Sequence, residues 1–241
     1  MADALAAGYR HIDTAAMYDN EDAVGRGLRA GGVDRAEVWV TTKVWPTDLE
    51  PDPLRASLYR SLRRLAVDHV DLLLIHWPNS DVPLERTLAA MTALRDEGRT
   101  SHIGVSNFSS ALLGQALDLA PVIVNQVEYH PFLSQGAVLR VCAERDVELT
   151  AYRPLGKGSV DDEPVLREIA SAHSKTPAQV ALRWLIEQPP VSAVPKSSSR
   201  ERRRENLDVF DFELSAEERA RIDALPKDRR NVELEWAPEW D

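Results

Sequence analysis

Four side chains suited to acid–base chemistry lie within the first 76 residues: Asp13, Tyr18, Lys43 and His76. Asp13, Lys43 and His76 come at the ends of three successive apolar runs, and Tyr18 follows Asp13 by five residues. A lysine ammonium beside a phenol favours the phenolate, by about 4 kcal/mol at roughly 4 Å and an effective dielectric of about 20. Asp13 would hold Lys43 charged and fixed, and His76 would orient a carbonyl oxygen. Such a set could protonate an oxygen that gains negative charge, as carbonyl reduction requires.

Each of these residues also has a simpler explanation when it is taken alone. Asp13 before Thr14 is typical of a turn or a helix cap, Lys43 of a solvated rim, and His76 of a hydrogen-bonded strand end. The chemical interpretation depends on their conjunction. In a barrel of parallel strands, the residues at the carboxyl ends of successive strands face one mouth, where catalytic groups collect.

The elements that must position these residues alternate along the whole chain. Short apolar runs are followed by amphipathic helical patterns, which predicts a parallel sheet with helical crossovers. An N-cap and a proline at Thr176-Pro177 divide the last long helical pattern into two helices. We predict strands at 9–13, 37–42, 70–75, 102–105, 122–126, 147–151 and 191–194, and helices near 20–30, 53–65, 84–97, 109–118, 134–145 and 162–187.

Seven βα units are too many for most small doubly wound sheets and one short of a closed barrel. We therefore predict an α/β fold of the (β/α)8 TIM-barrel class. The chain opens on a helix remnant at residues 3–7, and a barrel has a strand before that helix. We expect the first barrel strand to be missing, through a misplaced start or a real truncation. We predict a single domain over residues 1–241, with 231–241 as an extended C-terminal tail.

A basic run rich in hydroxyl groups follows the last predicted strand. It begins at Lys196-Ser197-Ser198-Ser199 and continues to Arg202, while no Gly-x-Gly-x-x-Gly or Walker loop occurs anywhere. The loop after a late barrel strand, leading into a helix start, is a usual place for phosphate. Arginine one turn further adds bidentate capacity. We predict a site for the monophosphate of an adenosine ribose; the simpler alternative is a solvated basic helix capped by serine.

Composition limits the partners. The formal net charge is −10, which disfavours binding to nucleic acid or to an anionic membrane. The single cysteine, Cys142, cannot form an internal disulfide, and this is typical of a reducing compartment. No signal peptide or membrane-spanning run is recognisable. We therefore expect a cytoplasmic protein. We expect no metal site, because the remaining histidines show no metal-ligand spacing.

Several runs together resemble the signatures of the aldo-keto reductase family, over residues 3 to 225. The first is Gly8-Tyr9-Arg10-His11-Ile12-Asp13-Thr14-Ala15, with Tyr18 following. The resemblance implies that an N-terminal hairpin is absent along with the first strand. The other runs that carry it are Leu73–Pro78, Ile103–Phe108, Asn125–Pro131, Ala151–Gly156, and Pro195–Ser197 with Arg202, Glu205 and Asn206.

The resemblance implies a catalytic tetrad of Asp13, Tyr18, Lys43 and His76, with Tyr18 as the general acid. It implies NADPH or NADP+ as cofactor, hydride transfer to the carbonyl carbon, and a turn at 153–155 near the pyrophosphate, where Arg153 replaces the usual serine. The implied cofactor contacts are Ser106, Asn107 and Gln126 on the carboxamide, Tyr152 on the nicotinamide ring, Arg153, Pro154 and Leu155 in the turn, Lys196, Ser197, Ser198 and Arg202 around the 2'-phosphate, and Glu205 and Asn206 near the adenine.

The expected substrate is a small carbonyl compound, since the resemblance is to bacterial aldehyde reductases and 2,5-diketo-D-gluconate reductases. Apolar walls would come from Trp45, Trp77 and Phe108, with Trp236 or Trp240 from the tail. We expect a monomer. Two alternatives stay open: a weakly active or non-catalytic NADP-binding regulatory barrel, and an isomerase- or aldolase-like barrel in which Lys43 forms a Schiff base.

Overall fold

The computed structural model describes all residues, Met1–Asp241. They form two compact units, of which the first comprises Met1–Asn125 with Ala237–Trp240 and the second comprises Gln126–Trp236 with Asp241. The division falls inside a strand, between Asn125 and Gln126. The single domain predicted over residues 1–241 stays a prediction.

The first unit is a run of parallel strands, each followed by a helix. Its short 3-10 helices are Ala16–Tyr18, Arg35–Glu37 and Pro46–Asp48. Its complete strands are β1 His11–Asp13, β2 Trp39–Val44, β3 Val70–Ile75 and β4 Thr100–Ser106, and its helices are α1 Ala2–Ala6, α2 Glu21–Ala30, α3 Pro51–Leu65, α4 Leu84–Asp96 and α5 Ser110–Leu119.

The second unit continues the alternation after β5 Val122–Glu128, and residues 231–241 contain no helix or strand. The long helical pattern is divided as predicted, because the Thr176 hydroxyl and the Gln179 side chain form a reciprocal capping box. No helix of either unit combines the length and the hydrophobicity needed to cross a membrane. The elements are β6 Glu148–Tyr152, β7 Val191–Val194, α6 Gly136–Glu144, α7 Pro164–His173, α8 Pro177–Ile186, α9 Arg200–Leu207, α10 Ala216–Asp223 and the 3-10 segment Gly156–Asp162.

Hydrogen-bonded neighbours in the sheet follow the order of the seven strands along the chain. The pairs of β1 with β2, β2 with β3, β3 with β4, and β6 with β7 are all parallel. The predicted parallel sheet with helical crossovers is therefore confirmed. One boundary differs in a way that matters for the site: β2 runs to Val44, so Lys43, which was expected just after the strand, lies within it.

In the core of the first unit, the side chains of Leu72 and Leu74 from β3 and Val124 from β5 form a buried cluster, with Trp39 packed against it. Helices cover the sheet closely, and one contact leaves no room for a side chain. A Cβ built on Gly25 of α2 would lie 2.3 Å from the backbone carbonyl oxygen of Leu65, at the end of α3. Glycine at this position therefore allows the two helices to touch.

We predict that Gly25→Ala destabilises the protein by about 1–3 kcal/mol, because backbone atoms cannot yield to the added methyl group. Gly114→Ala is the matched control: it lies in α5, has no atom within 4 Å of its Cβ position, and should gain up to about 1 kcal/mol from helix propensity. Urea unfolding followed by circular dichroism measures both. Equal shifts of the two midpoints in the same direction would contradict the packing explanation.

Candidate active site

Lys43 is a charged side chain buried inside the sheet of the first unit. Its side chain has no exposed surface, and its ammonium forms an ion pair with Asp13, whose side chain is 13% exposed. The ammonium also donates a hydrogen bond of 2.9 Å to the carbonyl oxygen of Thr14. The register explains the contact: Asp13 pairs with Thr41 across the ladder, and Lys43 lies two residues further on the same face.

A buried ammonium is costly unless it is paired and hydrogen-bonded. Asp13 and the Thr14 carbonyl supply that compensation from β1 and the residue after it. The pair fixes the ammonium at a defined position. The arrangement leaves one ammonium hydrogen to act on another group, since the ammonium carries three donors.

Tyr18 is the group above this ammonium. It ends the 3-10 helix that follows β1, and the residue is 45% exposed to solvent. The Lys43 Nζ atom lies 5.3 Å from the centroid of the Tyr18 ring. A proton donor open to solvent and a buried fixed cation are therefore neighbours.

His76 directly follows β3 and completes the cluster. Its ring meets the ring of Tyr18 edge to face, with centroids 5.7 Å apart and an interplanar angle of 84°. The ring of Trp45 meets the same imidazole edge to face, with centroids 5.2 Å apart and an interplanar angle of 88°. The Nδ1 atom is buried and has no hydrogen-bond partner.

Burial is the main cause that lowers the pKa of His76 to about 3, and the charge of Lys43 adds to it, while Asp13 opposes. The imidazole is therefore neutral at physiological pH. A neutral imidazole carries a single N–H donor and can hold a carbonyl oxygen without adding a positive charge.

The residues after β4 brace the histidine. Asn107 has a φ of +63°, a left-handed conformation that asparagine tolerates better than most residues. Its Nδ2 atom donates to the carbonyl oxygen of His76 at 2.9 Å and to the Ser106 hydroxyl at 3.1 Å. Both side chains are buried. The hydrogen bond to the main chain of His76 ties the ends of β3 and β4 together.

The three aromatic residues expected in the substrate pocket have different surroundings. Trp45 is half-buried beside His76, and Trp77 packs edge-on against Trp240 of the tail, with centroids 6.0 Å apart. Phe108 has no exposed surface, and its carbonyl oxygen accepts a hydrogen bond from Asn125. Its burial favours a packing role over direct contact with a substrate.

In the second unit, a cavity of about 680 Å³ opens beside the ends of β6 and β7. Of the other cofactor residues in this unit, Gln126 is buried within β5 and Tyr152 is half-buried at the end of β6, while Ser198 is exposed and outside the lining. The lining brings together eight of the residues expected to bind the cofactor: Arg153, Pro154, Leu155, Lys196, Ser197, Arg202, Glu205 and Asn206.

The charge of this cavity is opposite to that of the chain. Five cationic side chains and two carboxylates line it, on a chain of net charge −10. The cavity also adjoins the start of α9, where the Ser199 hydroxyl accepts a hydrogen bond from the backbone N–H of Arg202. Free backbone donors and the helix dipole favour an anion at such a terminus. The cavity is suited to a phosphate-bearing ligand.

Two of the five cations, Lys157 and Arg167, were not predicted from the sequence as cofactor-binding residues. Lys157 directly follows the turn that ends at Gly156, so its position next to that motif was an available signal. Arg167 lies on α7 and donates to the carbonyl oxygen of Asp161 at 2.6 Å. Nothing in the spacing of α7 marks it as a cavity residue.

The family model described as "Aldo/keto reductase family" matches residues 1–227. The chain belongs to this family. It is therefore an oxidoreductase, and the resemblance and the (β/α)8 barrel class predicted from its motifs and strand count are confirmed.

Relatives of this reductase align over most of their length. A glyoxal reductase of Bacillus subtilis is 44% identical over 229 residues, which is 94% of this chain and 82% of the relative. A crystal structure assigned as a 2,5-diketo-D-gluconic acid reductase B is 44% identical with a TM-score of 0.98, over 100% of this chain and 87% of that chain. The Bombyx mori aldo-keto reductase in complex with NADP is 34% identical with a TM-score of 0.90, over 97% and 83%.

The lowered pKa of His76 makes the stability of the reductase depend on pH. The unfolded imidazole takes up a proton near its ordinary pKa of 6.5, whereas the folded one does so only near 3. The unfolded state therefore binds more protons between these values, and stability falls as pH decreases from 6.5 towards 3, by on the order of 1 kcal/mol per pH unit. Urea unfolding of the wild type and His76→Gln across this range measures the effect. A parallel pH dependence of the two proteins would contradict it.

Proposed function

We propose that this reductase uses NADPH to reduce small aldehydes and ketones to alcohols, with Tyr18 as the general acid. The observation that carries the proposal is the buried, ion-paired ammonium of Lys43, 5.3 Å from the centroid of the Tyr18 ring. A fixed cation beside a phenol stabilises the phenolate left after proton transfer.

Each residue of the cluster has a distinct task in this mechanism. The Tyr18 hydroxyl donates its proton to the carbonyl oxygen as negative charge develops there. Lys43 stabilises the resulting phenolate, and Asp13 with the Thr14 carbonyl keeps the ammonium in place. The neutral His76 donates one N–H to the same carbonyl oxygen and orients it.

The cavity of the second unit fits the phosphates of a dinucleotide. Its excess of cations and the capped start of α9 support this. When bound, a reduced nicotinamide supplies the hydride for the carbonyl carbon. We assign the 2'-phosphate to Lys196, Ser197, Ser198 and Arg202, the adenine to Glu205 and Asn206, the pyrophosphate to Arg153, Pro154 and Leu155, and the nicotinamide to Ser106, Asn107, Gln126 and Tyr152.

The substrate class follows from the relatives and from the walls of the first unit. The glyoxal reductase and the 2,5-diketo-D-gluconic acid reductase are named for compounds with two carbonyl groups. Trp45 and the pair of Trp77 with Trp240 offer apolar surfaces near His76. We therefore propose small dicarbonyls and sugar-derived carbonyls as the first compounds to assay.

The environment of Lys43 argues against the Schiff-base alternative. A Schiff base requires a neutral amine that can reach the substrate carbonyl. Here the amine is an ammonium held by a carboxylate and a backbone carbonyl, and its side chain has no exposed surface.

We predict that Tyr18→Phe lowers kcat for glyoxal reduction by at least about 100-fold, because the general acid is lost. NADPH should bind nearly as well as to the wild type, since the phenol makes no contact in the phosphate cavity. Tyr59→Phe, on α3, is the matched control and should leave kcat unchanged. Turnover of NADPH measures the first quantity and calorimetric titration the second. A Tyr18→Phe enzyme with normal kcat would remove the proposed acid.

We predict that Lys196→Met and Arg202→Ala weaken NADPH binding by about 10-fold or more while NADH binding changes little, because only NADPH carries the 2'-phosphate. Arg204→Ala is the control, since this arginine lies on the same helix but outside the cavity lining. Dissociation constants for both cofactors test the assignment. An unchanged preference for NADPH in both variants would place the 2'-phosphate elsewhere.

A further inference from the structure

Glu128, at the end of β5, is a buried carboxylate whose hydrogen bonds come largely from the C-terminal tail. Its side chain has no exposed surface. It accepts four hydrogen bonds: from the backbone N–H of Asn231 at 2.8 Å, the Asn231 side-chain amide at 2.7 Å, the backbone N–H of Val232 at 2.9 Å, and His130 at 3.1 Å. Three of the four donors belong to the tail.

These bonds outweigh the cost of burial. Burial raises the pKa of Glu128, but the hydrogen bonds from His130, Asn231 and Val232 together bring it below its ordinary value. If the tail left, the carboxylate would lose three donors in a buried place, which is strongly unfavourable. Glu128 therefore fixes the backbone N–H groups of Asn231 and Val232 at the end of β5.

Arg153 holds the opposite side of the same residue. Its Nη1 atom donates to the backbone carbonyl oxygen of Asn231 at 3.0 Å, across 78 residues of sequence. This bond uses one of the five N–H donors of the guanidinium, so most of the donors remain available for a ligand. Arg153 also lines the cavity that we assign to the cofactor phosphates. One guanidinium can therefore bind a phosphate and the tail at once.

The backbone at Arg153 supports this position. Its φ is +50°, in the left-handed region that non-glycine residues rarely adopt. The turn is closed by a hydrogen bond from the N–H of Gly156 to the Arg153 carbonyl oxygen at 2.9 Å. The strained conformation presents the side chain beside both the cavity and Asn231.

We propose that Arg153 couples phosphate binding in this cavity to the order of the tail, with Glu128 as the fixed point against which Asn231 is held. The inference rests on the proposed function, because the phosphate is that of the nicotinamide cofactor. A phosphate would fix the guanidinium by charge-assisted hydrogen bonds. The fixed guanidinium would in turn hold the Asn231 carbonyl, so opening of the tail would become rarer. Arg153 is thus a positioning residue for the segment 231–236.

Hydrogen exchange tests the coupling without any assay of activity. The backbone N–H groups of Asn231 and Val232 both donate to Glu128, so their exchange reports opening of the tail. Saturating NADP+ should slow exchange in the segment 231–236 of the wild type by up to about fivefold, the factor that the full contribution of one hydrogen bond represents, because the bound phosphate fixes the donor of the existing bond to Asn231. NADP+ binding is measured in parallel by calorimetric titration.

The decisive variant is Arg153→Asn, because asparagine tolerates the positive φ but is too short to span the cavity and the tail. It should bind NADP+ more weakly, because one cationic contact to the phosphate is lost. At saturating NADP+ it should still lose the slowing. Arg167→Asn is the matched control: this arginine lines the same cavity but bonds to Asp161 and Asp162, so the slowing should persist. NADP+ binding to the wild type without slowed exchange, or full slowing in Arg153→Asn, would overturn the coupling alone. A wild type that binds no NADP+ would overturn the proposed function and the coupling together.

Discussion

The buried ion pair of Lys43 and Asp13 is the constraint around which the first unit is organised. A lysine side chain with no exposed surface is tolerated only because a carboxylate and the Thr14 carbonyl compensate it. Those partners come from β1 and its end, so the ladder between β1 and β2 must keep its register. The centroid of the Tyr18 ring lies 5.3 Å from the Lys43 Nζ atom. The ion pair that makes burial of the lysine possible therefore also places a cation beside the phenol.

In the second unit, charge is concentrated at a cavity and is not neutralised by an ion pair in the core. Its cations are concentrated around one cavity although the chain as a whole is strongly acidic. A local positive potential of this kind attracts a phosphate that the rest of the surface would repel. The tail shares a residue with this cavity, because Arg153 both lines it and bonds to Asn231. The burial of Glu128 explains why the tail begins at a fixed point.

Much of the fold could be predicted because the relevant signals are local. Apolar runs and helical periodicity gave all seven strands, and the Thr176-Pro177 cap gave the division of α7 from α8. Boundaries were less accurate, since ladder pairing rather than propensity decides where β2 ends, and Lys43 lies inside it. The lining of the cavity by Arg167 was missed, because its place depends on how α7 packs and not on any neighbouring residue.

The sequence by itself determined the order of strands and helices, the residue types at the strand ends and the basic loop after β7, since these are written in short stretches of chain. Only the tertiary structure decided that Lys43 is completely buried, that the imidazole of His76 stays neutral, and that Phe108 lies in the core. Only the tertiary structure shows the hydrogen bonds that hold Asn231, whose partners Arg153 and Glu128 are 78 and 103 residues away in the sequence. Burial and contacts over such separations depend on the whole path of the chain, and no local pattern encodes them.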